Sequence, residues 1–152
     1  NILPKGLRYV STKDTDYKIT NDAYKKIPKN WGHELIVHNS EKYCMKYLVV
    51  DYGGRCSVHY HKNKDEIFHI AQGKVFIELW KPDYYLNFNM SNISKFESEV
   101  WRTAILKEGE TLHISPGIAH RFKGLSDKNI IVECSTHDDP NDSIRIIPSS
   151  KS

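Results

Sequence analysis

The sequence has little of what marks a secreted, membrane-spanning or cysteine-zinc protein. Its 152 residues include only three cysteines, Cys44, Cys56 and Cys134, and none of them stands in a CxxC pair. An odd number without metal-binding spacing argues against a disulfide framework and favours free thiols in a reducing cytoplasm. No apolar run approaches the roughly 18 residues of a membrane span, and the first residues lack a secretory signal pattern.

The sequence also lacks clusters of positively charged residues. The net charge is +3 and charged residues, 27% of the chain, are interspersed along it. The pair Lys25–Lys26 is too short to form a basic patch, so we expect neither nucleic acid nor a membrane as a partner. A hydrophobic content of 39% suits one domain with a single core. The chain starts at Asn1 without methionine, which is compatible with a fragment of a longer protein.

Short segments rich in β-branched and aromatic residues recur from Trp31 onward, separated by turn residues. Such regular spacing predicts an all-β sandwich or barrel. We therefore divide the chain into an irregular N-terminal arm at 1–30, one barrel at 31–147 and a flexible tail at 148–152. Residues 83–99 are polar and aperiodic, and they predict a long loop leaving the barrel edge. The strands are predicted at 33–38, 43–51, 58–61, 66–71, 74–80, 100–107, 111–115, 119–123 and 129–136.

The stretch from Gly53 to Gly73 carries the clearest chemical pattern. His59 and His61 alternate on a predicted strand, so both side chains project from one face. Glu66 opens the next apolar run after a short polar loop, and His120 can add a fourth ligand from far along the chain. Imidazole nitrogens with a carboxylate suit one divalent transition metal such as Zn, Mn, Fe, Co or Ni.

These residues resemble the two motifs of the cupins. Gly53, His59, His61, Glu66 and Gly73 match the first motif in full. Gly109, Gly117 and His120 match the second, in which Ser115 replaces a proline and Gly124 an asparagine. The resemblance implies a double-stranded β-helix, or jelly-roll, barrel with His59, His61, Glu66 and His120 as metal ligands. It also implies a homodimer.

A closer resemblance is to the type II phosphomannose isomerase domain. It rests on Trp31-Gly32 followed by Glu34, on Lys46, and on the ligand strand that begins at Ser57. It continues with Glu133 in an apolar strand and an acidic segment that ends at Arg145. The resemblance implies a carbohydrate substrate, a Lys46 side chain inside the barrel and a substrate or proton-transfer role for Arg145.

The first functional hypothesis is a metal-dependent aldose–ketose isomerase of a sugar or sugar phosphate. This reaction needs a base that moves a proton between adjacent carbons, and a cation that stabilises the negative charge. Lys46, Glu133 and Arg145 are the catalytic candidates, and Arg121 and Glu78 are candidates for substrate binding. The residues alone leave open an Fe(II)-dependent dioxygenase or a non-catalytic sugar-binding module, since cupin function varies widely on one fold.

Overall fold

The computed structural model describes residues 9–10, 19–20, 25–82 and 92–151, and almost all of its regular structure is β-strand. One six-residue helix, α1 (Ile93–Ser98), interrupts the strands of this described part. The strands are β1 (Tyr9–Val10), β2 (Ile19–Thr20), β3 (Lys25–Lys29), β4 (Gly32–Asn39), β5 (Cys44–Asp51), β6 (Gly54–Arg55), β7 (Val58–His61), β8 (Glu66–Gln72), β9 (Lys74–Trp80), β10 (Arg102–Lys107), β11 (Thr111–Ile114), β12 (Ala119–Gly124), β13 (Lys128–Ser135), β14 (Ser143–Ile147) and β15 (Ser150–Lys151).

Two antiparallel sheets enclose the interior. The six-stranded sheet has the order β11-β8-β13-β5-β4-β3. The seven-stranded sheet runs β10-β9-β12-β6-β15, and β7 pairs with both β12 and β14 beside this path. β1 and β2 form a separate two-stranded pair. The predicted all-β jelly-roll barrel is therefore confirmed.

The barrel interior is filled by alternate residues of facing strands. Val75 and Ile77 of β9 pack in one cluster with Leu48 of β5 and Ile70 of β8, and all four are nearly inaccessible to water. This agrees with the period of two that the sequence shows at 74–80. These apolar side chains fill one end of the barrel interior, and polar side chains occupy the other end.

The predicted loop at 83–99 contains a helix. Residues 83–91 lie outside the described residues, and α1 follows them. Its N-cap Asn92 accepts a hydrogen bond from the Lys95 backbone N–H, which satisfies one of the unpaired amides of the first turn. Phe96 stacks on Trp80 with ring centroids 5.2 Å apart, and the Trp80 indole N–H donates to the Phe96 carbonyl at 3.0 Å. A single buried aromatic in a polar segment gives too weak a period to predict this helix.

Both predicted flanks add strands to the sheets. β3 lies in the predicted irregular arm, yet it pairs with β4, and Pro28 is accommodated because β3 is an edge strand. In the predicted flexible tail, β15 pairs with β6, and the Arg55 Nε–H donates to Ser150 Oγ at 3.0 Å. Both strands are held by pairing with a neighbouring strand. Neither sequence shows the alternation of apolar and polar residues that would predict a strand. Among the described residues no helix is long and apolar enough to cross a membrane.

Candidate metal centre

Three strands from two sheets converge at the polar end of the barrel. His59 and His61 alternate on β7, and His120 on β12 is the direct cross-strand neighbour of His59. Glu66 begins β8 in the opposite sheet, after the four-residue loop 62–65. The loop thus carries the chain across the barrel and returns the carboxylate to the imidazoles.

The four side chains lie close enough to share one ion. Ligand nitrogens of His59, His61 and His120 are all within 4.8 Å of one another. The Glu66 carboxylate reaches His120 Nε2 at 3.1 Å and His61 Nε2 at 3.5 Å. Three nitrogens and a carboxylate in this arrangement are a donor set for a divalent transition metal.

Backbone carbonyls orient two of the imidazoles. His59 Nδ1 lies 3.0 Å from the Ser57 carbonyl, and His120 Nδ1 lies 2.9 Å from the Ile118 carbonyl. Each carbonyl can only accept, so Nδ1 carries the proton and the Nε2 lone pair is left for a metal. Burial favours the uncharged ring, and it lowers the pKa of His59 well below its ordinary value and that of His61 to about 4. His59 and His61 are therefore neutral, as metal ligation requires.

Several buried polar atoms of this cluster have no hydrogen bond within the described part of the chain. They are both carboxylate oxygens of Glu66, His120 Nε2 and His61 Nδ1. Buried polar atoms are nearly always hydrogen-bonded, and Lys64 gives the Glu66 carboxylate an ion pair at 3.2 Å but no hydrogen bond. A divalent cation among the four side chains would satisfy the two oxygens and the His120 nitrogen together. The residues present therefore fit a bound metal.

A lysine that sequence reasoning missed lies beside the cluster. The Lys64 side chain is 3% exposed, and its Nζ contacts Glu66 at 3.2 Å, Glu133 at 2.9 Å and Asp138 at 3.1 Å. Its loop is held inward because the Asp142 carboxylate accepts the backbone N–H groups of Asn63 and Lys64, each at 2.9 Å. The sequence of 62–65 indicates only a short polar loop. The available signal was a lysine between two candidate ligands, His61 and Glu66.

Lys46 also points into the barrel, as the family resemblance implied. It is not without local partners, however, because its Nζ lies 2.9 Å from Asp138 and 3.6 Å from Glu34. Glu34 comes from the neighbouring strand β4, while Asp138 arrives from the segment after β13. Such a partner is hidden in the sequence, because Asp138 lies 92 positions from Lys46.

Mutual charge sets the protonation of this network. Burial alone would lower the pKa of Lys46 and Lys64, but nearby carboxylates, Glu133 first among them, outweigh it and raise both pKa values. Burial opposes ionisation of Asp138 as well, yet the two lysines lower its pKa to about 2. Glu133 differs, because burial and the neighbouring Glu66 charge raise its pKa. Glu133, whose pKa is raised, thus lies among the charged groups of Lys46, Lys64 and Asp138.

These groups line one open cavity of about 510 Å³. Glu133 faces it from β13, where it is the cross-strand neighbour of Lys46. Arg145 faces it from β14, opposite His59, and is exposed at the mouth. The structure therefore brings all three predicted catalytic residues, Lys46, Glu133 and Arg145, into a cavity that is also lined by three of the four candidate ligands, His59, His61 and Glu66.

The two predicted substrate-binding residues lie elsewhere. Arg121 directly follows His120 on β12, so its side chain points to the opposite face of the sheet. There it donates to Glu78 at 2.8 and 3.2 Å and lies 5.6 Å above the Trp80 ring, under α1. Neither Arg121 nor Glu78 lines the cavity. Side chains alternate along a strand, so the two residues face away from the cavity that His59 lines. The predicted substrate-binding role of Arg121 and Glu78 is therefore corrected to packing on the outer face.

The described geometry can be compared with known proteins. The family model of D-lyxose isomerase matches residues 30–151, which is most of the chain. The chain belongs to the D-lyxose isomerase family. This member is 29% identical over 131 residues to the D-lyxose/D-mannose isomerase of Thermosediminibacter oceani, a match that covers 81% of the chain and 72% of the relative.

Solved structures support the fold of this D-lyxose isomerase family member. KdgF from Halomonas sp. superposes with a TM-score of 0.55 at 15% identity, over 72% of this chain and 82% of that one. The capsular polysaccharide assembling protein CapF from Staphylococcus aureus gives a TM-score of 0.62 at 17% identity, covering 82% of this chain and 32% of its own. Bacillus subtilis oxalate decarboxylase, described with Mn(II) centres, gives 0.60 at 16% identity, over 80% and 29% of the two chains. At these identities the likeness establishes the cupin barrel alone.

Proposed function

We propose that this protein is a metal-dependent aldose–ketose isomerase in which Glu133 and Lys64 handle the transferred proton. The observation that carries the proposal is their contact at 2.9 Å in the same cavity as His59, His61 and Glu66. Family membership supports the class of reaction. The arrangement supplies a cation site, a tuned carboxyl group and an ammonium group within reach of one small substrate.

His59, His61, Glu66 and His120 would hold the metal. When bound, it would act as a Lewis acid that polarises the substrate's carbonyl and hydroxyl oxygens. The chain's own contribution is orientation, because Ser57 and Ile118 fix two of the rings. Glu66 and His120 are almost completely buried, which limits the access of water to their ligand atoms.

Glu133 is the best-placed base among the predicted candidates. Its carboxylate takes the proton from C2 of an open-chain aldose, and the electrons of the broken C–H bond form the C1–C2 double bond of an enediolate with its negative charge on O1. The carboxyl group then returns the proton to C1, while the hydroxyl proton of O2 moves to O1 and C2 becomes the carbonyl carbon. A raised pKa brings the carboxyl group closer to the working pH, which favours transfer in both directions. The Lys64 ammonium, bonded to the same carboxylate, holds it in place and can donate to an oxygen of the substrate.

The substrate proposed from family membership is an aldose related to D-lyxose or D-mannose, which the relative from Thermosediminibacter oceani is named for. A cavity of about 510 Å³ is within the usual range for small-molecule sites and accommodates an open-chain pentose or hexose. Its polar lining of carboxylates and lysines suits a polyhydroxylated ligand.

Solvent deuterium incorporation tests the reaction directly. Protein loaded separately with Mn²⁺ and Zn²⁺ is incubated in D₂O with D-lyxose, D-mannose, their terminal phosphates and the corresponding ketoses. The proposal expects deuterium at the carbon next to the carbonyl, and Glu133→Gln should abolish the exchange while metal content is unchanged. Turnover with Zn²⁺, which is redox-inert, would exclude the Fe(II) dioxygenase alternative. Absence of exchange with every aldose and metal would reject the isomerase.

We further propose that the protein is a homodimer, as the resemblance to the cupins implies, and that it works in a reducing cytoplasm. Cys44 and Cys56 are buried free thiols, and burial raises their pKa values to about 11 and about 12, which keeps them protonated and unreactive. Light scattering at micromolar concentration tests the dimer, and a monomeric mass would contradict it.

A further inference from the structure

The mouth of the cavity carries two cations outside the inner ion-pair network. Lys29, at the end of β3, and Arg145, on β14, both line the cavity and are both exposed. Within the described part of the chain neither has a carboxylate at ion-pair distance. Lys46 and Lys64, in contrast, contact two and three carboxylates. The charge of Lys29 and Arg145 is therefore available to a ligand.

The fold holds these cations on the same side as the metal centre. Arg145 is paired in register with His59, so both side chains leave their strands on the cavity face. Lys29 is brought to the rim by the β3–β4 pairing, and Asn30 Nδ2 donates to the Ser149 carbonyl at 3.3 Å. Ser143 and Ser149 also line the cavity and offer hydroxyl donors.

Charge is distributed unevenly through the cavity. The inner carboxylates outnumber the inner lysines by two, so a divalent metal would bring that part close to neutrality. Asp139 is the remaining acid of the lining, and its Oδ1 accepts the Asn141 backbone N–H at 3.0 Å, capping a short turn. The floor thus suits a neutral polyol, while the mouth keeps an excess of positive charge. The inner groups are Glu34, Glu66, Glu133, Asp138, Lys46 and Lys64.

We propose that Lys29 and Arg145 form a subsite for the terminal phosphate of a phosphorylated aldose whose carbonyl end lies at the metal centre. This inference rests on the proposed isomerase and narrows its substrate to a sugar phosphate. Arginine binds phosphate oxygens through two parallel N–H groups, lysine adds a point charge, and hydroxyls supply further donors. A neutral sugar would leave both cations without a partner.

Non-reactive analogues separate binding from chemistry. Binding of D-mannitol and D-mannitol 6-phosphate to the Mn²⁺-loaded protein is measured by calorimetry, because neither polyol has a carbonyl to isomerise. We expect the phosphate to bind at least about tenfold tighter than the polyol, and this advantage to shrink as salt is raised. Arg145→Met should reduce the advantage about tenfold, Arg145→Lys less, and Lys29→Met severalfold. Lys25→Met, on the same strand but outside the cavity, is the matched control and should keep the full advantage.

The possible outcomes distinguish the phosphate subsite from the proposed isomerase activity. Equal affinities for both polyols would overturn the subsite. A phosphate advantage that survives in Arg145→Met and Lys29→Met would also overturn it, because the phosphate would then bind the metal itself. Turnover of D-lyxose, D-mannose and their phosphates is followed separately. Isomerisation without any phosphate advantage would retain the isomerase and reject the subsite. Arg145-dependent phosphate binding without isomerisation of any sugar would retain the subsite and reject the isomerase.

Discussion

Lys64 Nζ lies 2.9 Å from Glu133 Oε2, and the two residues are separated by most of the barrel's sequence. Both are buried, so each is the principal counter-charge of the other. Removing one member of a buried ion pair leaves an uncompensated charge, typically at a cost of about 3–5 kcal/mol. This pair therefore links the stability of the cavity to the proton transfer proposed in it.

The first prediction concerns Lys64. Replacement by methionine keeps the side-chain length but removes the ammonium group, so the pKa of Glu133 should rise further. We expect turnover to fall by at least about 100-fold, the scale of a lost acid–base group, with isomerase activity measured across pH. Lys62→Met, in the same loop but exposed, is the control and should retain activity. Wild-type turnover in Lys64→Met would show that the ammonium group takes no part in the reaction.

The second prediction concerns metal binding. His61→Ala removes one nitrogen from the cluster, and we expect metal affinity to fall by more than about 100-fold, beyond the effect of an outer-shell change. Metal content after dialysis, measured by elemental analysis, is the readout, and circular dichroism checks the barrel. His69→Ala, on the exposed side of β8 where His69 contacts Thr111, is the control. Undiminished metal content in His61→Ala would remove this residue from the ligand set.

The third prediction concerns the pH dependence of the metal-free protein. His61 has a pKa of about 4 in the fold and an ordinary value of 6.5 when unfolded. As pH falls below 6.5 the unfolded chain takes up a proton that the folded chain refuses, so the free energy of unfolding must decrease. The effect of this group ends near pH 4, where the folded state is protonated too.

Urea unfolding of protein treated with a chelator measures this slope. Between pH 6.5 and 5 Asp138 stays ionised, because its pKa is about 2. Glu133, whose pKa is raised, contributes a slope of the opposite sign in wild type and variant alike, so the difference between the two proteins reports His61. His61→Gln should flatten the slope relative to the wild type. An identical slope in the two proteins would mean that His61 is not held neutral by burial.

Local pattern predicted the barrel and the metal cluster because both depend on short-range rules. Alternation places His59 and His61 on one face, and the same period turns Val75 and Ile77 into the core. The partners of Lys46 and Lys64 were beyond such rules, since Asp138 reaches them only through the pairing of distant strands. Arg121 is the reverse case. Its outward direction was predictable from the sequence, because side chains alternate along a strand and its neighbour His120 points inward.

The last prediction concerns Arg121, which is 2% exposed and bonded to Glu78 on the outer face of the seven-stranded sheet. Its guanidinium also lies 3.5 Å from Glu97 of α1 and above Trp80, so it ties the helix to the sheet. Arg121→Met should lower the free energy of unfolding by roughly 3 kcal/mol, because Glu78, whose side chain is only 14% exposed, is left without its partner. The double variant with Glu78→Gln should recover part of this loss, since no charge is then stranded. Denaturant unfolding measures both effects, and KM for the sugar measures the alternative role. A large rise in KM with unchanged stability would restore Arg121 to the substrate site, against its position outside the cavity.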